Sequence, residues 1–214
     1  GYEPSLDGIR GLGAIFAVVV HLFMVTIPLQ NQLPDYVAGA FVFMDMFFVL
    51  SGFLITALLL KEQSSTGRIG LLAFYKRRAL RLLPALWFLL ACYLLYGLIV
   101  GYDVLGGWSL VRSTVLFCLG YGMNFHMTSI ISQQVSEGLS HLWSLGLEEQ
   151  FYLVWPLVVI LVLPLRRRLW ISLSVLISAI TFIAVRRYFL SVNGDMNWFQ
   201  IYIRSDTRAD SLLI

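Results

Sequence analysis

Residues 6–28 read LDGIRGLGAIFAVVVHLFMVTIP. The run from Ile9 to Ile27 is long enough to cross a bilayer as a helix, yet it carries Arg10 at one end and His21 inside, both costly in hydrocarbon. The two stand eleven residues apart, almost three full turns, so they project from one face and give this helix a polar stripe. The composition around it agrees. The 214 residues are 59% hydrophobic and 13% charged, with a mean hydropathy of +0.81, which excludes an ordinary soluble domain. An all-α integral membrane protein is expected, a multi-span bundle of transmembrane helices.

Fifteen Lys and Arg against twelve Asp and Glu give a net charge of +3, but the basic residues fall in short clusters between apolar runs. That distribution marks topology, not a nucleic-acid partner. Cys92 and Cys118 lie in apolar sequence without metal-like or CxxC spacing, so neither a disulfide framework nor a metal site is indicated. No Walker loop, zinc spacing or GxSxG elbow occurs. The chain opens on Gly1 and ends in the apolar run 212–214, so a longer protein is expected.

Outward from 6–28, a second span is read over about 37–60, with Asp45 in its outer third and Gly52 seven residues on. The stretch 61–81 then holds Lys61, Arg68, Lys76, Arg77, Arg78 and Arg81 against one acid, Glu62. By the positive-inside rule it is a cytoplasmic loop, which places the amino terminus inside as well. A third span follows over 82–100 with Pro84 in its first turn. The next apolar piece, 110–123, is short, contains Arg112 and is read as re-entrant. A fourth span over 141–163 carries Glu148 and Glu149, and its His141, Ser144, Glu148 and Tyr152 follow helical i+3 and i+4 steps. A fifth covers 169–185. It leaves Arg186 and Arg187 outside, against the charge rule, so that Arg166, Arg167 and Arg168 fall inside. A further helix begins near 204, where Arg204, Asp206, Arg208 and Asp210 alternate in sign.

Offsets along these helices predict two poles. His21, Asp45 and Glu148 each lie roughly 10–12 Å from the outer end of their helices, at 1.5 Å per residue. Arg10 and the Arg78/Arg81 pair lie at the cytoplasmic end, Arg10 about 16 Å from His21. A cationic inner pole suits a phosphorylated donor and a His/carboxylate outer pole suits proton transfer. A proton-coupled transporter with His21, Asp45 and Glu148 as a relay is the alternative, although no pair of broken helices in inverted repeat supports it.

LDGIRG with His21 eleven residues after Arg10, DMFFVLSGFLIT, FYKRRALRLLPALW, HLWSLGLEEQFYLVWPL and RSDTRADSLLI follow one another from Leu6 to Ile214. In that order they resemble the amino-terminal part of the membrane acyltransferase-3 family. The resemblance implies an O-acyltransferase of the cell membrane that moves an acyl group, acetyl foremost, from acyl-CoA to a hydroxyl. The acceptor would be a cell-surface glycan, a lipid-linked sugar or a small hydroxylated compound. Acyl-CoA would be a co-substrate, with no tightly bound cofactor, metal or nucleic acid. By the resemblance His21 is the essential histidine and Arg10 its paired arginine, Arg78 and Arg81 form the RxxR, and Glu148, Glu149 and Gln150 form the EEQ element. Asp45 joins the catalytic candidates, and Ser144, Tyr152, Asp206 and Arg208 join the substrate-binding ones. The family domain continues for several more membrane helices, so the chain alone is expected to lack part of the site.

Overall fold

The computed structural model describes residues 35–129, 138–163, 169–193 and 198–213, together with the single positions Gly8, Gly11, Ile15, Val18 and Val19. Arg10 and His21 lie outside the described residues. Among those described no strand occurs, as an apolar sequence without period-two alternation dictates. The helices are α1 (Asp35–Thr66), α2 (Leu71–Val100), α3 (Trp108–Leu119), α4 (Met123–Thr128), α5 (Leu142–Val162), α6 (Leu169–Val192), α7 (Trp198–Tyr202) and α8 (Ser205–Leu213). Four stretches are long and apolar enough to cross a membrane: Met44–Thr66, Leu71–Val100, Leu142–Val162 and Leu173–Val192. Trp87, Phe88, Leu98, Ile99, Phe182 and Phe189 stand exposed on them, the outward apolar surface that lipid requires.

The chain divides into two compact units, residues 1–55 with 211–214, and residues 56–210. In the first, Phe48, Ser51 and Ile55 are buried along one side of α1, and Asp45 one turn earlier is half-buried.

In the second unit, α1 ends and α2 begins across only Gly67–Gly70. Gly67 takes a left-handed φ of +76° to turn the chain, and Glu62 Oε1 accepts the Gly70 N–H at 3.1 Å. The basic stretch read as a loop is therefore mostly helix, and α2 starts at Leu71 instead of near 82. Pro84 consequently sits well inside α2, not in its first turn. At 30 residues α2 is about 45 Å long, more than the roughly 30 Å of a bilayer core.

Contacts pair rising positions on α2 with falling positions on α5. The Tyr75 hydroxyl donates to the Leu153 carbonyl at 2.7 Å, Arg78 meets Glu149, and the Tyr93 ring lies against Gly138 just before α5. The two helices run antiparallel. A core of Leu86, Leu90, Tyr93, Leu105, Val111, Cys118, Met123, Leu139 and Leu142 fills the space between α2, α3 and the start of α5. The stretch read as one re-entrant piece comprises α3 and the turn after it. With twelve residues, α3 is about 18 Å long, well short of a bilayer core. Helix α6 extends to Val192, so Arg186 and Arg187 lie inside a helix rather than beyond its end.

Candidate functional site

Glu149 and Gln150 are neighbours on α5 and point about 100° apart, so they serve different partners. Glu149 faces α2. Arg78 Nε donates to both of its carboxylate oxygens at 3.1 Å and Nη2 donates to Oε1 at 2.7 Å, a forked, charge-assisted pair. One turn on, the Tyr152 ring underlies the same guanidinium, with Cζ 3.3 Å from the ring centroid. The pair is largely withdrawn from solvent, with side-chain exposures of 24% for Arg78 and 12% for Glu149. This overturns the separation of Arg78 from the acids: Arg78 is level with Glu149, because α2 begins at Leu71 and carries Arg78 into the bundle.

Gln150 faces the turn between α3 and α4. Its Nε2 donates to the Tyr121 carbonyl at 2.7 Å and to Asn124 Oδ1 at 2.9 Å, using both amide hydrogens. Asn124 Nδ2 donates to Ser205 Oγ at 2.8 Å, and Ser205 donates back to Gln150 Oε1, which closes a ring of three side chains. Asn124 is fully buried. Gly146, one turn before Gln150, lets α5 close on this turn, since a Cβ there would meet the Tyr121 carbonyl oxygen at 2.7 Å.

Tyr121 is a conformational outlier with a φ of +52°. The Gly122 N–H bonds the Phe117 carbonyl at 2.8 Å and the Tyr121 N–H bonds that of Cys118 at 3.1 Å, the paired bonds of a Schellman helix end. The left-handed position of that motif usually holds glycine, and a tyrosine there costs about 1–2 kcal/mol. Burial first, and the Glu149 carboxylate second, push the phenol above its ordinary value, while Arg78 pulls it down. The side chain thus feels both members of the ion pair.

The remaining candidates are spread out. Arg81 is exposed on α2, as are Lys76 and Arg77, and Arg77 reaches Glu62 at 3.8 Å. Glu148 is half-buried. Ser144 donates to the carbonyl of exposed His141 at 3.3 Å. Asp206 is bound by Arg204 and, at 2.7 Å, by Arg186; the Arg204 hydrogen bond first of all holds its carboxyl down at about 2. Arg208 is buried with Cζ 4.1 Å from the Tyr202 ring centroid. Among the described residues no group of three or more His, Cys, Asp or Glu is placed to hold a metal. Sequence reasoning missed Tyr121, Asn124 and Ser205. The available signal was Gly120-Tyr121-Gly122, a left-handed helix end with a bulky residue at its centre.

Arginine, glutamate and tyrosine inside an apolar bundle, with an EEQ element divided between two networks, is the arrangement for which comparison with known proteins is informative. The family described as an acyltransferase domain matches residues 3–205. The chain belongs to the acyltransferase-3 family. O-acetyltransferase OatA of Staphylococcus aureus is 33% identical over 217 residues, covering 100% of this chain and 34% of that protein. A putative O-acetyltransferase of S. aureus strain MSSA476 is 33% identical over 218 residues, with the same shares covered. This acyltransferase-3 chain therefore spans about a third of the length of the relatives it matches. No solved structure matches it.

Proposed function

We propose that the protein is an integral-membrane O-acyltransferase that moves an acyl group, acetyl foremost, from acyl-CoA to a hydroxyl of a cell-surface glycan or a related acceptor. The observation that carries this reading is the likeness of the whole chain to proteins named O-acetyltransferases. In the reaction the acceptor oxygen attacks the thioester carbonyl. A C–O bond forms, the C–S bond breaks, the hydroxyl proton passes to a base, and coenzyme A leaves as the protonated thiol. His21 is the base, as imidazole is the side chain most often used for proton transfer near neutral pH. Arg10 accompanies it, and Asp45 and Glu148 are the further acids assigned to the reaction.

At the donor, Arg81 takes the phosphates. It is exposed and makes no ion pair among the described residues, whereas Arg78 spends Nε and Nη2 on Glu149 and keeps Nη1 for a ligand. Ser144 and Tyr152 line the α5 side, and Asp206 and Arg208 support it from α8. In this reading the protein belongs to the plasma membrane, with a cytoplasmic amino terminus.

The test is transfer of label from labelled acetyl-CoA to a hydroxyl-bearing glycan by the full-length protein in proteoliposomes. His21→Ala should insert normally and lose about 10²-fold or more in turnover, the usual cost of a missing general base. Retention of more than about a tenth of the wild-type rate would exclude His21 as that base. Absence of any transfer by the wild-type protein, with glycan and donor present, would sink the acyltransferase reading itself.

A further inference from the structure

The turn between α3 and α4 places a tyrosine, flanked by Gly120 and Gly122, where the backbone favours glycine. Conformational strain of this kind persists when the surroundings over-determine it, and it clusters at functional sites. The surroundings here do over-determine it. Gln150 grips the Tyr121 carbonyl, Asn124 and Ser205 grip Gln150, and Gly146 clears the space for the approach. Gln150 is the residue after Glu149, so the ring that holds the turn is covalently continuous with the acid of the ion pair.

We infer that Tyr121 is a further site residue, held by Gln150, Asn124 and Ser205 so that its hydroxyl donates a hydrogen bond beside the Arg78–Glu149 pair to the acyl carbonyl oxygen. The inference rests on the acyltransferase reading and adds to it the group that receives the charge. When the acceptor oxygen attacks, negative charge moves onto the carbonyl oxygen, and a fixed neutral donor stabilises it without having to reorganise. Among the described residues the Tyr121 hydroxyl makes no hydrogen bond within the protein, so the donor is open to a ligand. Burial and the neighbouring carboxylate keep the phenol protonated, as a donor must be. The ring itself is half-buried and packs against the core between α2, α3 and α5. Gln150, Asn124 and Ser205 are positioning residues in this scheme, because they act on the turn and not on the substrate.

The test uses the full-length protein in proteoliposomes with labelled acetyl-CoA. Tyr121→Phe keeps the ring packing and removes only the hydroxyl. It should lower kcat by about 10²-fold, the usual loss for one oxyanion donor, with the donor KM and the unfolding temperature unchanged. Gln150→Met, which releases the Tyr121 carbonyl, should lower kcat as well. The double variant should be no worse than Tyr121→Phe alone, since both changes act through the same hydroxyl. A merely structural role for Gln150 would give losses that multiply and a lowered unfolding temperature. A Tyr121→Phe kcat within about twofold of wild type would overturn the assignment while leaving the acyltransferase reading intact. A wild-type protein without turnover would overturn both.

Discussion

The residue whose environment departs most from its sequence reading is Arg78. Read locally it belongs to a cluster of cations facing the cytoplasm, but in the structure it is the partner of Glu149 and rests on Tyr152. A largely buried ion pair contributes little beyond an apolar replacement, but removal of one partner leaves an uncompensated charge, at a cost of about 3–5 kcal/mol. Glu149→Ala and Arg78→Ala should therefore each destabilise by about that much, and the double variant by less than their sum. Unfolding of the single and double variants in detergent checks this, and additive losses would show that the pair is not coupled. Arg78→Lys keeps the charge and loses the fork, so it should fall between wild type and Arg78→Ala. The sequence announced both residues as unusual, because an arginine and an acid within apolar runs are rare. It did not announce that they meet, since 71 positions separate them and local periodicity carries no information at that range.

At the scale of elements, the apolar runs were legible and their ends were not. The second, third and fifth runs are each longer as helices than as apolar stretches, because charged residues continue the helix past the apolar run, some of them paired by a neighbouring element. Arg186 and Arg187 show how. Asp206 takes the first at 2.7 Å, and the second holds Asp210 at 2.7 Å and the Thr207 carbonyl at 3.3 Å, so the end of α6 is clamped to α8. The folded value for Asp206, about 2, lies below the ordinary 3.8, so its contribution is complete above about pH 4 and is lost as the pH falls through 2. Asp206→Asn should flatten the fall in unfolding temperature across that window, and a fall as steep as wild type would assign the acid sensitivity to other groups. The packing of α5 against the α3–α4 turn is equally specific. Gly146→Ala would drive a methyl into the Tyr121 backbone at 2.7 Å, and it should destabilise by about 1–3 kcal/mol, the range for overpacking. Sequence reading gives no warning there, because a glycine within an apolar helix looks like any other small residue.

For the whole molecule, the connections set a topology that can be measured. Gly67–Gly70 is too short to do more than turn the chain, so α1 ends and α2 begins on one side of the membrane. Helix α2 crosses, and the next helix long enough to cross is α5, because α3 covers only about 18 Å against a core of roughly 30 Å. Helix α5 therefore starts on the side opposite Gly67–Gly70, in agreement with its antiparallel run against α2. The charge rule predicts the sides: Arg166, Arg167 and Arg168, which follow α5 in the sequence, are expected inside, together with Lys61 and Arg68. Arg186 and Arg187 stand against this assignment; each is paired with an aspartate, but Asp206 is shared with Arg204, so a net positive charge remains beside them. With Cys92 and Cys118 replaced, Arg68→Cys should react with a membrane-impermeant thiol reagent only after permeabilisation, and Ser140→Cys should react in intact cells. Both positions are exposed, so lack of access within the fold does not confuse the result. Labelling of both only after permeabilisation would mean that the stretch holding α3 crosses after all. The α5 acids would then lie near the inner face, and the donor and the carboxylates would meet from the cytoplasmic side.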